Sequence, residues 1–306
     1  MSPARQPILD DFCGLLDATM PWPGGLAVVL RAYFDASERE GGTYCVAGLA
    51  FGEDRAKKAT GEWLKLWGDT PCHMTDLNAR RGDFDGWDPE RTGQLLIDSV
   101  KIINRHVSFG VAVSCSVEDV KRLSPRSADP ESSDFFGGFA RAYALCSHMA
   151  MASLATMTAS DIAYFFETGD QHQGDSHRFI TTMVSHPIGR RFYRYGSHSY
   201  MPKKGVRAYE MSDILAWEWA KHMERIGAGN KRMRPSLGAL LDVSSGFSSD
   251  FDFASDTRRA RHLQGEPFER YYRRADEMGL FSDRPTDQQL RTMEENLSRT
   301  STKVLR

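Results

Sequence analysis

The sequence lacks the features that mark secreted, membrane-spanning and ATP-driven proteins. No apolar run approaches the roughly 18 residues that a membrane-spanning helix needs, and the N-terminal stretch MSPARQPILDDFCGLL lacks the long apolar segment of a secretory signal. The P-loop pattern GxxxxGK[ST] does not occur. We therefore expect a cytoplasmic protein with no membrane partner, and an ATP-driven motor within this chain is disfavoured.

Cysteine is scarce as well. The 306 residues include five cysteines, an odd number, and none of them forms a CxxC pair. Cys45 and Cys115 lie inside apolar runs, a position typical of buried thiols in a reducing compartment. We expect no structural disulfides. A zinc site built on Cys72 and His73 is also disfavoured, because no second Cys/His pair stands at ligand spacing.

The chain as a whole has little net charge, but one stretch has a clear excess of positive charge. The formal net charge is −2, so no global basic field indicates a nucleic-acid partner. Between residues 188 and 234, however, eleven Lys and Arg stand against four Asp and Glu, interleaved with aromatics. This pattern suits a track for a polyanion, and an ion-paired, solvated surface is the alternative. The predicted nucleic-acid-binding residues are Arg190, Arg191, Arg194, Lys203, Lys204 and Arg207.

Composition predicts three regions. Residues 1–27 form a leader that ends in Pro-Trp-Pro-Gly-Gly, and 28–242 form the folded domain. Residues 243–306 are polar and charged, and we expect a C-terminal extension there that is partly helical or disordered. A second copy of the chain or a protein partner would dock through that extension.

The order of the predicted elements indicates an α/β fold. Apolar runs typical of strands occupy 26–34, 43–51, 107–116, 161–166 and 197–201. Segments with helical spacing occupy 54–68, 89–104, 135–157, 172–186 and 210–226, and 73–88 reads as a polar loop. This order predicts a ribonuclease H-like mixed β-sheet flanked by helices, with a helical insertion after the second strand. The fourth strand, after a helical crossover, should run parallel to the first.

Three acids stand where these elements end or begin. Asp35 and Glu167 each close an apolar strand-like run, and Asp213 lies near the start of an apolar helix. Each has a simpler explanation, since an Asp at a strand end often forms a turn and acids in a first helical turn offset the helix dipole. If the two strands are parallel neighbours, the three carboxylates converge above one edge of the sheet. Carboxylates in that arrangement hold Mg²⁺ or Mn²⁺, and Glu210 is a reserve ligand.

Four short motifs, in order and spacing, resemble the bacterial domain family DUF3800. They are YFDAS at 33–37, CHMTDL at 72–77, YFFETGDQHQG at 164–174 and YEMSDILAW at 209–217. The resemblance spans about residues 28–226 and implies a ribonuclease H-like fold with a nuclease-type site. The residues that match the family's motifs are Asp35, His73, Asp76, Glu167 and Asp213. Ala36 departs from the family, which usually has Glu there, so we expect one acid fewer at the mouth of the site. Glu210-Met-Ser replaces the usual Gln-x-Ala, and we expect this second departure to leave the ligand Asp213 intact.

These observations favour a metal-dependent phosphodiester hydrolase acting on nucleic acid, with Asp35, Glu167 and Asp213 as the metal ligands. His73 or Asp76 would assist as a water-orienting group, general base or further ligand. His172 and His177, five residues apart at the start of a predicted helix, are further candidates by their proximity in sequence to Glu167. The alternative is a non-catalytic module that keeps the fold to bind nucleic acid or protein. Hydrolysis of a small nucleotide is a third candidate and would need a closed pocket.

Overall fold

The computed structural model describes residues 30–39, 42–123, 138–168, 173–203, 205–242, 252–254, 257–280, 286–292 and 294–295. The strands in these ranges are β1 (Leu30–Arg39), β2 (Thr43–Phe51), β3 (Phe109–Ser116), β4 (Ile162–Glu167), β5 (Tyr195–Met201), β6 (Asp252–Ala254) and β7 (Arg258–Leu263). They form one sheet in the order β5-β4-β1-β2-β3-β7-β6. The expected leader over 1–27 lies outside the described residues.

The helices precede, connect and cover these strands. They are α1 (Glu53–Trp67), α2 (Met74–Ala79), α3 (Pro89–His106), α4 (Val117–Leu123), α5 (Gly138–Ala155), α6 (Gln173–Ser185), α7 (Pro187–Phe192), α8 (Arg207–Gly227), α9 (Pro235–Leu240) and α10 (Gly265–Glu277). Helix α3 shows a local cause of its boundary, because the Asp88 side chain accepts a bond from the Arg91 amide and Pro89 occupies the first turn. In the described part of the chain, no helix is long and apolar enough to cross a membrane.

Strand directions define the fold. Strand β2 is antiparallel to both β1 and β3, whereas β4 is parallel to β1 and β5 is parallel to β4. The register of β1 with β4 runs from Leu30 opposite Ile162 to Phe34 opposite Phe166. This is the strand order and direction of a ribonuclease H-like fold. The prediction of a mixed sheet flanked by helices, with β4 parallel to β1, is confirmed.

Alternation along the strands builds two cores, one on each face of the sheet. Phe34 packs on the face covered by α5 and α6, and its neighbour Tyr33 packs on the face covered by α8. Strand β2 is buried along its whole length, as expected for a strand covered on both faces. The four described cysteines are buried free thiols, as expected for Cys45 and Cys115.

Helix α8 is fastened to the two central strands by side-chain hydrogen bonds. The Ser212 hydroxyl donates to the carbonyl of Tyr33 at 2.7 Å, and the Tyr209 hydroxyl donates to the carbonyl of Phe166 at 2.9 Å. Ala216 and Ala220 are fully buried, and their small side chains let the helix approach the sheet closely. These contacts fix α8 over the point where the pairing of β1 with β4 ends.

Two local expectations were wrong. Strand β1 does not end at Asp35 but continues to Arg39, because β2 pairs with it as far as Thr43 opposite Arg39. The polar segment 73–88 is not a plain loop, since it contains α2 and a 3-10 turn at Gly82–Phe84. Both short helices are held by burial of a few apolar side chains in a polar segment, Met74, Leu77 and Phe84.

The C-terminal segment contributes strands that were not predicted. Strand β7 lies parallel to β3, and β6 pairs with β7 at the edge of the sheet. The expected boundary at residue 242 therefore does not coincide with the edge of the sheet. The strand was missed because its sequence, RRARHL, is basic, although Arg258 and Ala260 are buried and alternate with less buried neighbours. Helix α10 agrees with the expected helical content, and docking of a partner there stays a prediction.

The bond between Ser212 and Tyr33 gives a stability prediction. Replacing Ser212 by Ala leaves a buried carbonyl without this donor, so we expect the free energy of unfolding to fall by about 1–3 kcal/mol. Ser185→Ala is the matched control, because the Ser185 hydroxyl also donates to a carbonyl, that of Thr182, but at an exposed site. Its expected effect stays within about 0.5 kcal/mol. Urea denaturation measures both, and equal effects would contradict a fastening role for Ser212.

Candidate active site

Two strand carboxylates are neighbours because of the register of β1 with β4. Asp35 and Glu167 each follow the last paired residues, Phe34 and Phe166. Side chains alternate along a strand, so both acids lie on the face of the sheet that Tyr33 occupies. That face is the one covered by α8, which brings Asp213 to the same place.

The ammonium group of Lys203 lies among the three carboxylates. Its Nζ is 3.1 Å from Asp35 Oδ2, 3.1 Å from Asp213 Oδ2 and 3.5 Å from Glu167 Oε2. The Lys203 side chain is only 12% exposed. The structure therefore brings together three of the five predicted catalytic residues around one cation.

Backbone amides and one imidazole complete the surroundings of the acids. Asp213 Oδ2 accepts a 3.2 Å hydrogen bond from the amide of Met74, and Asp35 Oδ1 accepts one of 2.8 Å from the amide of Ala36. His73 Nδ1 lies 4.0 Å from Asp213 Oδ2, and the His73 side chain is 53% exposed. His73 is thus at the rim of the site, where a predicted assisting group would need to be.

The acids carry more negative charge than their surroundings neutralise. Burial raises the pKa of Asp35 to about 7, and the nearby charge of Glu167 adds to that rise while Lys203 opposes it. Burial also raises the pKa of Asp213, and the charge of Asp35 contributes. Burial alone would lower the pKa of Lys203, but the attraction of the three carboxylates raises it. With all four groups ionised, three negative charges face one positive charge.

This excess charge and the donor type fit a divalent cation. Hard cations such as Mg²⁺ prefer carboxylate oxygens at about 2.0–2.1 Å, whereas the carboxylates here stand at 3.1–3.5 Å from the ammonium nitrogen. Metal binding would need each oxygen to move inwards by about 1 Å. Within the described residues, no group of three or more His, Cys, Asp or Glu stands at metal-binding spacing. The place between these three acids is occupied by the Lys203 ammonium.

Glu210 and Arg207 have a structural role that the sequence analysis did not predict. Glu210 is buried and accepts hydrogen bonds from Trp63 Nε1 at 2.8 Å and from Arg207 Nη1 at 2.7 Å. Arg207 also donates to the carbonyls of Gly68 and Thr70. Glu210 is therefore not a reserve ligand, and Arg207 is not presented to a nucleic acid. Together they tie the start of α8 to the end of α1.

Two further candidates lie apart from the acids. Asp76 Oδ1 accepts a 2.6 Å bond from Arg81 Nε, and none of the contacts of Asp76 in the described residues joins it to Lys203 or the three carboxylates. His177 is on α6 and contacts His198 and Tyr200, on the face of the sheet opposite α8. Nearness in sequence to Glu167 was misleading for His177, because α6 crosses to the other face. His172 lies outside the described residues.

The predicted basic track is not continuous. Tyr195 at the start of β5 is opposite Ile162, whereas Met201 at its end is opposite Glu167. Six residues at about 3.3 Å each put the two ends of β5 roughly 20 Å apart. The exposed side chains Arg190, Arg191 and Arg194 precede β5. They therefore lie at the start of this strand, at the opposite end from the acids.

These arginines also have partners of their own. Arg190 lies over the ring of Tyr195, Arg191 is 3.6 Å from Glu294, and Arg194 donates to the carbonyl of Ala159. Lys204 lies outside the described residues. Lys203 was predicted to contact nucleic acid, but the structure places it within the acidic site.

Ala36 does not affect the acidic site. Its side chain packs on the face of the sheet covered by α5, opposite Asp35. The expectation that Ala36 removes an acid from the mouth of the site is therefore wrong for this geometry. The second departure from the family pattern, at Glu210-Met-Ser, leaves Asp213 in place, as expected.

The role of Lys203 was missed because no local motif signals it. Lys203 follows β5 directly, and β5 ends beside Glu167 because the strands are parallel. A turn closed by the Val206 amide on the Lys203 carbonyl at 3.0 Å then leads into α8. Gly205 has φ +88° in that turn, a conformation that favours glycine. Only the prediction of parallel strands could have placed Lys203 near Glu167.

Comparisons with known proteins add little to this geometry. No family model matches the sequence, and no curated protein matches it, so membership in DUF3800 stays a prediction. The chain is similar to the crystal structure of ribonuclease H2 from Pyrococcus horikoshii, with 9% sequence identity, 89% of this chain and 100% of that chain covered, and a TM-score of 0.36. That likeness is too slight to carry an argument, and the fold assignment rests on strand order and direction.

The burial of Asp35 gives a pH prediction for the protein in EDTA. The pKa of Asp35 is raised from 3.8 to about 7 in the folded state. Ionising Asp35 therefore costs more free energy in the folded state than in the unfolded state. The free energy of unfolding is highest at low pH and falls as pH rises through about 7. Asp35→Asn cannot ionise, so we expect its free energy of unfolding, relative to wild type, to rise by about 2 kcal/mol between about pH 5 and pH 8.

Urea denaturation in EDTA at the two pH values measures this difference. Asp98→Asn is the control, because hydrogen bonds from Gln94 and then Lys101 lower the pKa of this exposed carboxyl. Asp98 is thus ionised in the folded and unfolded states over the same interval, and no pH-dependent difference is expected. A pH-independent difference for Asp35→Asn would show that Asp35 is not desolvated.

Proposed function

We propose that this chain is a metal-dependent phosphodiester hydrolase that acts on nucleic acid, as the resemblance to DUF3800 also implies. The observation that carries the proposal is the convergence of Asp35, Glu167 and Asp213 on one cation. They come from β1, β4 and α8, which are far apart in sequence, and a ribonuclease H-like arrangement of strands brings them together. A surface ion pair needs no such convergence.

The three carboxylates would hold Mg²⁺ or Mn²⁺. A divalent ion bound there would supply stabilisation of the charge that develops on a phosphate during hydrolysis. Asp35 and Asp213 are buried and supply the charge, while Glu167 is 26% exposed and faces the mouth of the site. The hydrogen bond from the Met74 amide keeps Asp213 turned towards the other two acids.

His73 is the residue best placed to handle a proton. Its imidazole is exposed at the rim and close to Asp213, so it can orient an attacking water and accept its proton. Position and exposure support this role for His73, whereas Asp76 is engaged with Arg81. Arg190, Arg191 and Arg194 would contact only a substrate that extends from the acids along the length of β5, roughly 20 Å.

A non-catalytic binding module is the second candidate. It is favoured by Lys203, which already offsets part of the negative charge of the three carboxylates. In such a module the acids would be structural, and their removal would affect stability more than binding of nucleic acid. The two candidates therefore differ in their response to divalent ions.

Cleavage of labelled RNA and DNA, single- and double-stranded, with Mg²⁺, Mn²⁺ or EDTA tests the proposal. We expect metal-dependent cleavage by wild type. Asp35→Asn and Asp213→Asn should each lower the rate by at least about 100-fold, because each removes charge from the metal site. Asp98→Asn, at an exposed acid on α3, should leave the rate unchanged.

Three outcomes separate the candidates. Cleavage abolished by both site variants and by EDTA, with folding intact, supports the hydrolase. Nucleic-acid binding without cleavage, unchanged by EDTA and by Asp213→Asn, supports the binding module. Cleavage that survives Asp35→Asn and Asp213→Asn would contradict the proposed site even if the chain is a nuclease.

A further inference from the structure

The position of Lys203 has a consequence for how this site would take up metal. Its ammonium contacts the same Oδ2 atoms of Asp35 and Asp213 that face the middle of the acidic site. It also contacts Glu167, so the lysine engages each of the acids proposed as metal ligands. No other Lys or Arg in the described residues contacts these three carboxylates.

Two cations cannot share this space. A divalent ion bound by the same oxygen atoms at about 2.1 Å would lie within a few ångströms of an ammonium that stays in place. At such a separation in a partly buried site, repulsion between the two cations opposes their binding together. The oxygens would also have to leave their present distances from Nζ, 3.1–3.5 Å, so the ammonium would lose its partners as the metal gained them.

We propose that Lys203 is a built-in counter-ion that a divalent metal must displace from between Asp35, Glu167 and Asp213. The inference rests on the proposed metal site and adds that the Lys203 ammonium competes with the metal for the three carboxylates. Without metal, the lysine keeps the three carboxylates together. With metal, the lysine side chain moves away from the acids and becomes accessible to solvent.

The surroundings of Lys203 permit this movement. The lysine lies in the turn between β5 and α8, which is closed by the bond from the Val206 amide to the Lys203 carbonyl. That bond uses backbone atoms, so the side chain can leave the acids without breaking the turn. His73, the other nitrogen-bearing side chain near Asp213, is 4.0 Å away and does not replace the lysine.

Calorimetric titration with Mn²⁺ tests the competition. Lys203→Met removes the ammonium and keeps an unbranched side chain, so we expect it to bind Mn²⁺ at least about tenfold more tightly than wild type, a difference of about 1.4 kcal/mol. Lys203→Arg keeps the charge and should bind about as wild type does. Lys101→Met, which removes a lysine paired with Asp98 at the surface, is the control and should also match wild type. Equal or weaker binding by Lys203→Met would overturn the inference.

A second measurement uses the wild-type protein and does not depend on the folding of a variant. The rate of acylation of the Lys203 amine is followed by mass spectrometry in EDTA and in Mn²⁺. We expect slow labelling in EDTA, where the amine is buried and paired, and several-fold faster labelling in Mn²⁺. Lys101 reports any general effect of the metal on the reagent. Labelling of Lys203 that does not change, or that slows, would contradict displacement.

Mn²⁺ binding and nucleic-acid cleavage together distinguish a failure of the counter-ion proposal from a failure of the proposed function. Tighter Mn²⁺ binding by Lys203→Met without cleavage of any nucleic acid would support the counter-ion and contradict the hydrolase. Metal-dependent cleavage together with unchanged Mn²⁺ affinity in Lys203→Met would support the hydrolase and overturn the counter-ion. Absence of Mn²⁺ binding in both proteins would overturn the counter-ion and remove the metal from the proposed function.

Discussion

The parallel pairing of β1 with β4 is the constraint on which the acidic site depends. Because Phe34 is opposite Phe166, the next residues along the two strands, Asp35 and Glu167, are neighbours on one face of the sheet. A shift of one residue in this register would turn one of the acids to the opposite face. The aromatic rings of Tyr33 and Phe165 stack at 5.0 Å just before the acids, and this packing holds the register where the carboxylates need it.

Helix α8 then positions the third acid, Asp213, and thereby adds to the repulsion between like charges that opposes folding. Its bonds to the carbonyls of Tyr33 and Phe166 bring Asp213 close to the two strand acids, and burial there raises the pKa values of Asp35 and Asp213. Like charges in a buried site oppose folding unless a cation offsets them. The structure supplies one ammonium, which is too little for three carboxylates. Groups whose pKa values are shifted by burial together with a specific charge partner cluster at functional sites.

Much of the fold and part of the site could be predicted from the sequence. Alternating apolar runs gave the strands, and the parallel direction of β4 followed from the helical crossover, which was enough to bring Asp35 and Glu167 together. Strand β7 could not be found in this way, because its half-buried positions are basic and its buried Arg258 bonds to the backbone carbonyl of Leu240, 18 residues earlier in the sequence. The prediction that Arg207 binds nucleic acid was wrong for a similar reason, since a buried arginine and a phosphate-binding arginine look alike in sequence.

Diffraction from crystals grown with Mn²⁺ would show whether Asp35, Glu167 and Asp213 hold a divalent metal. We expect an anomalous peak between the three acids, with their carboxylate oxygens at coordinating distance and the Lys203 ammonium displaced from its place among them. A map with no anomalous peak at saturating Mn²⁺, and with Lys203 still in contact with all three carboxylates, would contradict a metal-binding role for these acids.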